Sequence, residues 1–299
     1  MSGLSTPPPN TVGSEKPEDV LLTYEIEVDG VQKSVQISRS FKSFLASGMD
    51  YVETVLNGMR KNASTPCIIG VVGGAGCGKS TFCEIISQEL NAAKTPAVTI
   101  GMDAYHYRNE YLETHYTNTE TKETLKSIKG SLETIDVSSI HKDFSRFCIG
   151  QGKTGETESN SDDCRVLMFP AYDRNLHEPV PGRIKVDLMK HKIVFFEGLH
   201  LLANDPGGHW AALRTLYDGL IVLKVPIGVC KRRVIARKVL GGRSKADALE
   251  HWNRSDLKIH EAIKQQILSA LESPPNGAVL LYDGDEQMGN NADKKLSNA

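Results

Sequence analysis

The segment Gly73-Gly74-Ala75-Gly76-Cys77-Gly78-Lys79-Ser80 constrains this chain more than any other part of it. It follows an apolar run, Ile68-Ile69-Gly70-Val71-Val72, and leads into a helical pattern that begins Thr81-Phe82-Cys83-Glu84. A buried strand, a glycine-rich turn and a helix in that order satisfy GxxxxGK[ST] in the context the motif requires. The glycines let successive backbone N–H groups converge on a phosphate, and the helix N-terminus adds positive potential. Lys79 is placed to reach the β and γ phosphates, the Ser80 hydroxyl to ligand magnesium, and Thr81 to add a further phosphate contact. The alternative is a plain glycine-rich turn between strand and helix.

From Cys67 onward, short apolar runs alternate with helical stretches. The runs Cys67–Val72, Val98–Met102, Ile193–Phe196, Leu220–Val225 and Val279–Tyr282 read as buried parallel strands. Helices are expected at about Lys79–Asn91, Val137–Phe147, Val229–Leu240 and Ala246–Ala270. The expected fold is therefore α/β, a P-loop NTPase fold with a five-stranded parallel sheet and helices on both faces. Upstream, Thr23–Ser38 alternates around Asp29-Gly30 as a hairpin does, and Phe41–Met59 has helical spacing. The expected organisation is a disordered tail over 1–20 and a hairpin-and-helix appendage over 21–65. A phosphate-loop domain over 66–284 follows, with a mobile polar insertion at 150–163, and a second tail over 285–299.

Charge narrows the function classes. The chain has 35 Lys and Arg against 37 Asp and Glu, a net charge of −2, so it carries no global basic field of the kind that drives nucleic-acid binding. The six cysteines, Cys67, Cys77, Cys83, Cys148, Cys164 and Cys230, form no CxxC pair and no zinc spacing with histidine. A reducing compartment is expected. No basic leader with an apolar core and no apolar run long enough for a bilayer is present, so the expected location is cytoplasmic, without a membrane partner. Oligomeric state is silent.

A phosphate loop alone does not specify a reaction. GTPases add an N/TKxD base-reading motif and transport ATPases a Ser-Gly-Gly-Gln-type signature; neither occurs. Kinase chemistry rises by elimination. Ligands of open parallel sheets bind at the carboxyl ends of the strands, where Asp103 and Glu197 fall. Phosphoryl transfer needs one carboxylate to accept or orient an acceptor hydroxyl and another to hold magnesium, and these two acids form the expected pair. The plain alternatives are a helix N-cap for Asp103 and a polar strand terminator for Glu197. Near Asp103, Tyr105, His106, Tyr107, Arg108, Tyr111 and Tyr116 offer ring faces and polar tips, with His106 the preferred binder; most of these tyrosines could equally serve packing. Between Asp218 and Asp247 no acid interrupts eight Lys and Arg. Arg233 and Arg237 share a helix face there and are expected to stabilise transferred phosphate. Cys77, inside the loop beside a helix N-terminus, is a candidate low-pKa thiolate, with an inert filling residue as the alternative.

Several motifs in sequence carry a family resemblance. They are the phosphate loop, Met102-Asp103-Ala104-Tyr105-His106, Lys129-Gly130-Ser131-Leu132-Glu133-Thr134-Ile135-Asp136, Phe169-Pro170-Ala171-Tyr172-Asp173-Arg174 and Phe196-Glu197-Gly198. Over about Pro66–Asp283 the chain resembles the phosphoribulokinase/uridine kinase superfamily, in particular its pantothenate-kinase-like branch. The chain departs from that branch at Ala104, usually glycine, and at Ile135, often phenylalanine. The resemblance implies an ATP- and magnesium-dependent kinase acting on a small-molecule hydroxyl. It implies that Asp103 is the catalytic base, that Tyr172, Asp173 and Arg174 line the acceptor pocket, and that Arg233 and Arg237 belong to a lid over ATP, which the Gly241-Gly242 pair could hinge. Nucleosides, pantothenate-like acids, glycerate and sugars all remain open as acceptors. A regulatory protein that hydrolyses ATP slowly is the alternative function.

Overall fold

The structure is a computed structural model that describes residues 22–58, 65–118, 120, 122–149, 165–272 and 279–283. The expected terminal tails, the 150–163 insertion, Cys148 as a side chain and Cys164 lie outside the described residues.

The chain opens with a hairpin, β1 (Leu22–Val28) and β2 (Val31–Ile37), followed by α1 (Arg39–Gly58). The phosphate-loop strand β3 (Cys67–Gly73) leads to α2 (Lys79–Ala92) and β4 (Ala97–Gly101). A single 3-10 turn over Met102–Tyr105 precedes α3 (Asn109–Thr114), the short pair β5 (Tyr116–Asn118) and β6 (Glu123–Thr124), and α4 (Val137–Ile149). Then come a second long hairpin, β7 (Val166–Asp173) and β8 (Glu178–Asp187), and strand β9 (Ile193–Gly198). Short α5 (His209–Ala212) and β10 (Gly219–Lys224) follow, with α6 (Ile227–Leu240), α7 (Lys245–His251), α8 (Leu257–Glu272) and β11 (Val279–Asp283) completing the order.

Five strands form one parallel sheet in the order β11-β10-β3-β9-β4, with the phosphate-loop strand at its centre. Strand side chains alternate between faces, and the two hydrophobic clusters follow that alternation. Cys67, Ile69, Val71, Ile193, Phe195, Ile221 and Leu223 face one cluster with α2 and α6. Ile68, Val72, Val194, Phe196, Leu220 and Val222 face the other with α4 and α8. Both faces are covered, which is why these strands read as continuous apolar runs rather than alternating ones.

The N-terminal hairpin and α1 share the first cluster instead of standing apart. Phe41 and Phe44 of α1 pack with Phe82 of α2 and Tyr282 of β11, with ring centroids 5.1 Å apart for Phe44–Phe82 and 4.4 Å for Phe44–Tyr282. Such ring pairs add about 0.5–1.5 kcal/mol each beyond the area they bury. Tyr24 of β1 donates to Glu89 Oε1 at 2.8 Å, and Gln88 donates to the Glu25 carbonyl at 2.9 Å, fastening the hairpin along α2. The hairpin turn is Asp29-Gly30, with φ of +53° and +77°. This is the two-residue turn that the Asp-Gly pair favours, and it lies at the carboxyl-end rim of the sheet through its contact with the site described below.

The expected helix Ala246–Ala270 is interrupted. A π-helical turn over Trp252–Asp256 joins α7 to α8. At that turn Asp256 accepts from Lys238 and lies 3.2 Å from His251 Nδ1, so Lys238 is engaged in an ion pair and is not a free surface charge.

Candidate active site

The loop after β3 has the backbone a phosphate cradle needs. Gly76 and Gly78 adopt φ of +79° and +99°, in the left-handed region where side chains are strained. At Gly76 a Cβ would also stand 2.7 Å from the Cys230 carbonyl oxygen, so both conformation and space demand glycine. The loop ends in α2, whose first turn carries Lys79, Ser80 and Thr81. Lys79 Nζ donates to the carbonyls of Gly73 at 3.0 Å and Gly74 at 3.2 Å, folding its ammonium over the loop. Arg233 on α6 donates to the Gly76 carbonyl at 3.3 Å, which brings the basic helix onto the same loop. Ala75 packs at the edge of the first cluster.

At Cys77 the structure favours the inert filling residue over the low-pKa thiolate. Its side chain is buried, and burial pushes the thiol up despite the nearby Lys79. The helix N-terminus does not offset the loss of solvation. Cys77 therefore serves the loop through its backbone, whose N–H donates to the Gly74 carbonyl at 3.2 Å.

Two acids stand at adjoining strand ends. In the sheet register Glu197 of β9 pairs with Val71 of β3 on one side and with Gly101 of β4 on the other. Asp103 lies two residues beyond Gly101, in the 3-10 turn. The Ser80 hydroxyl donates to Glu197 Oε1 at 2.7 Å. Burial pushes the Glu197 carboxyl up, with Lys79 opposing and Asp103 adding to the rise. The pair offers oxygen donors of the hard kind magnesium takes, and a divalent cation there would favour the ionised carboxylate.

Asp103 is half-buried. Burial works against its ionisation, but His106, Arg174, Lys79 and Arg237 outweigh it and hold the carboxyl below the usual carboxylate range. His106 is buried; its Nδ1 lies 2.9 Å from the Asp103 carbonyl, its ring centroid 5.8 Å from that of Tyr172. Its Nε2 has no hydrogen-bond partner among the described residues. Arg174, in the turn between β7 and β8, approaches Asp103 with Nη2 at 3.9 Å and pairs with Asp29 through Nε. Arg237 on α6 stays exposed, within electrostatic reach of Arg174, Asp103 and Asp29.

The remaining expected residues divide. Tyr172 and Asp173 both line a cavity of about 370 Å³, which also touches Glu27, Asp29, Ser80 and Glu197. Asp173 also closes the β7–β8 turn by accepting from the backbone N–H groups of Asn175 at 2.9 Å and Leu176 at 3.1 Å. Tyr105 belongs to the core, donating to Asp143 Oδ2 at 3.1 Å. Tyr107, Tyr111 and His115 stack on one another at the surface, centroids 4.5 and 3.6 Å apart.

Three further residues at the candidate site were not singled out from the sequence. Lys129 donates to the His177 carbonyl at 2.7 Å and lies 5.4 Å from the centre of the Tyr172 ring; burial brings its ammonium down to about 8. It lies in the quoted Lys129–Asp136 motif, which was the available signal. Glu84, one turn into α2, lines the cavity, and Asp29 reaches it from the hairpin tip. Neither carries a local sequence signal for this role.

A parallel sheet with a phosphate loop on its central strand, a lysine over that loop and a Ser–Glu pair beside it define a nucleotide-binding P-loop protein. The model for the phosphoribulokinase/uridine kinase family matches residues 68–271, and the chain belongs to that family of P-loop kinases. The protein named "Uncharacterized protein YggC" from Escherichia coli (strain K12) is 30% identical over 185 residues, 60% of this chain and 65% of that protein. "Putative uridine kinase C227.14" from Schizosaccharomyces pombe is 29% identical over 194 residues, 64% of this chain and 74% of that protein. The chain thus spans less than two thirds of the Escherichia coli relative's length. In fold it is similar to the crystal structure titled "putative fructose transport system kinase" from Silicibacter sp. TM1040, with a TM-score of 0.60 and 23% identity, covering 80% of this chain and 98% of that one. Among the described residues no helix is long and apolar enough to cross a membrane.

Proposed function

We propose that this protein is a kinase that transfers the γ-phosphoryl group of Mg-ATP to a hydroxyl of a small molecule. The observation that carries the reading is the convergence at the carboxyl ends of β3, β9 and β4 of the phosphate loop, the Ser80–Glu197 hydrogen bond of 2.7 Å and Asp103. Family membership and the name of the Schizosaccharomyces pombe relative support it.

In this reading Gly73 to Thr81 hold the triphosphate, with Lys79 swinging from the loop carbonyls to the phosphate oxygens. Ser80 and Glu197 are the residues that would hold magnesium, which when bound would offset the negative charge of the phosphates. Asp103 accepts a hydrogen bond from the acceptor hydroxyl and orients its oxygen toward the γ-phosphorus. As the new P–O bond forms, the bond from the γ-phosphorus to the β–γ bridging oxygen breaks, and ADP leaves with that electron pair. The hydroxyl proton passes to the Asp103 carboxylate and then to solvent. Arg233 and Arg237 approach from α6 and stabilise charge on the transferred group; positioning and charge stabilisation are what such chemistry asks of a protein. His106 and Tyr172 form a wall of the acceptor pocket. Arg174 and Asp173 position that wall.

The test is ADP release from Mg-ATP across nucleosides, sugars, pantothenate and glycerate. An acceptor that raises release well above background supports the kinase. ATP binding with no acceptor-stimulated release overturns it in favour of a regulatory ATPase.

A further inference from the structure

Two turns distant in sequence meet at Arg174. One is the β1–β2 turn at Asp29-Gly30, and the other is the β7–β8 turn that begins at Arg174 itself. Asp29 takes the Nε edge of the guanidinium in a close ion pair, while Nη2 stays 3.9 Å from Asp103. The pair is largely shielded, with the Asp29 side chain 18% exposed and that of Arg174 26%. The turn does not by itself explain an aspartate. With φ of +53° the position asks for Asn, Asp or Gly, and asparagine meets that demand as well. What aspartate adds is charge.

That charge bears on which acceptors can enter. Arg174 is the cation nearest Asp103 in the described ion pairs, and an unpaired arginine there would receive the carboxylate of an anionic acceptor in a bidentate pair. With Asp29 on its Nε edge, that edge is taken and the guanidinium's charge is offset, which weakens its hold on a second carboxylate. The cavity beside it is carboxylate-lined as well: Glu27, Asp29, Glu84, Asp173 and Glu197 face it, against Arg183 as the cation. Like charges brought together in a pocket repel and so exclude wrong partners, whereas neutral hydroxyls donate readily to carboxylate oxygens.

We propose that Asp29 is a specificity-determining residue of the acceptor site: by occupying Arg174 and adding its own carboxylate to the wall, it selects acceptors with uncharged hydroxyl-bearing groups over those that carry a carboxylate. The proposal rests on the kinase reading above. It assigns the N-terminal hairpin a part in substrate choice, since the hairpin exists outside the 68–271 region matched by the family and yet delivers a side chain to the site.

The experiment uses the full chain and compares kcat/KM for neutral acceptors (nucleosides and sugars) with that for carboxylate acceptors (glycerate and pantothenate), in wild type, Asp29→Asn, Arg174→Gln and the double variant. The wild type is expected to prefer a neutral acceptor. Asp29→Asn, which keeps the left-handed turn, is expected to shift the ratio toward carboxylate acceptors by about tenfold with KM for ATP unchanged. In the double variant that gain disappears, because the freed guanidinium is gone. A wild type that prefers a carboxylate acceptor, or an Asp29→Asn ratio equal to that of wild type, overturns the proposal while leaving the kinase intact. A change in thermal stability alone, with the ratio unmoved, reduces Asp29 to a structural contact and overturns it too. If no acceptor of either class stimulates ADP release, the kinase reading fails and this proposal falls with it.

Discussion

The Ser80 hydroxyl donates to Glu197 Oε1 at 2.7 Å, joining the first turn of the phosphate-loop helix to the end of a strand more than a hundred residues away. The two positions that the proposed kinase reading assigns to magnesium are thus held together by the fold. Glu197→Gln keeps an acceptor for the Ser80 hydroxyl but removes the charge. The expected result is a fall in kcat of roughly 10²–10³-fold, the range for loss of a charge-stabilising group. Half-saturation by magnesium should rise, with binding of metal-free nucleotide little changed. Titration of activity against magnesium checks this, and an unchanged half-saturation would contradict the assignment.

Phe41 ties the N-terminal helix to the sheet. It is fully buried against Phe82 and Tyr282, with centroids 6.3 and 6.1 Å away. Phe41→Ala is expected to cost about 3–5 kcal/mol, as truncation of a buried aromatic does. Urea unfolding should still show one cooperative transition at a lower midpoint. A separate early transition would mean that α1 folds as its own unit.

Glu84 makes stability pH-dependent. Its carboxyl is pushed up from 4.5 to about 7, first by burial and then by Glu27, Asp29 and Glu197. Below pH 4.5 the folded and unfolded states are both protonated and the residue adds no pH dependence. Between there and about 7 the folded state retains a proton that the unfolded state has lost, so stability falls as pH rises, and above about 7 the penalty is complete. Glu84→Gln should therefore raise Tm at pH 8 and leave it unchanged near pH 4. Thermal melts at the two pH values decide it; equal effects at both would contradict the burial argument.

Cys77 should be inert in the folded protein. Only a thiolate attacks an alkylating reagent, and burial both pushes this thiol up and blocks access. Mass spectrometry after alkylation at pH 8 is expected to find Cys77 unmodified in native protein and modified after denaturation. Rapid native labelling, slowed by Mg-ATP, would restore the reactive thiolate.

What the sequence made legible follows from how each feature is encoded. All five sheet strands could be read, because strands covered on both faces appear as unbroken apolar runs. The Asp29-Gly30 hairpin could be read because a two-residue left-handed turn asks for that dipeptide. The β7–β8 hairpin was visible only as the motif Phe169–Arg174. Pro170, Pro179, Pro181 and Gly182 interrupt its alternation, and its pairing shifts register between Phe169 and Ala171. The π-turn at Trp252–Asp256 left no periodic signature, since it displaces a helical pattern without ending it. The places of Asp103 and Glu197 at adjoining strand ends could be read from the sequence. The approach of Asp29 to Arg174 could not, because it depends on a turn packed against the hairpin from the other half of the chain. At Cys77 the sequence left a low-pKa thiolate and an inert filling residue both open for a related reason: its position beside a helix N-terminus is a local feature, and the burial that governs it is tertiary.

In the proposed reaction Asp103 orients an acceptor hydroxyl toward the γ-phosphoryl group. Single-turnover transfer from γ-labelled Mg-ATP tests it most directly, using the acceptor that best stimulates ADP release, with wild type and Asp103→Asn side by side. Label on the acceptor is expected in wild type, and a rate lower by roughly 10²–10⁴-fold in Asp103→Asn, with nucleotide binding retained. Label appearing only as inorganic phosphate in wild type, or transfer by Asp103→Asn at the wild-type rate, would contradict it.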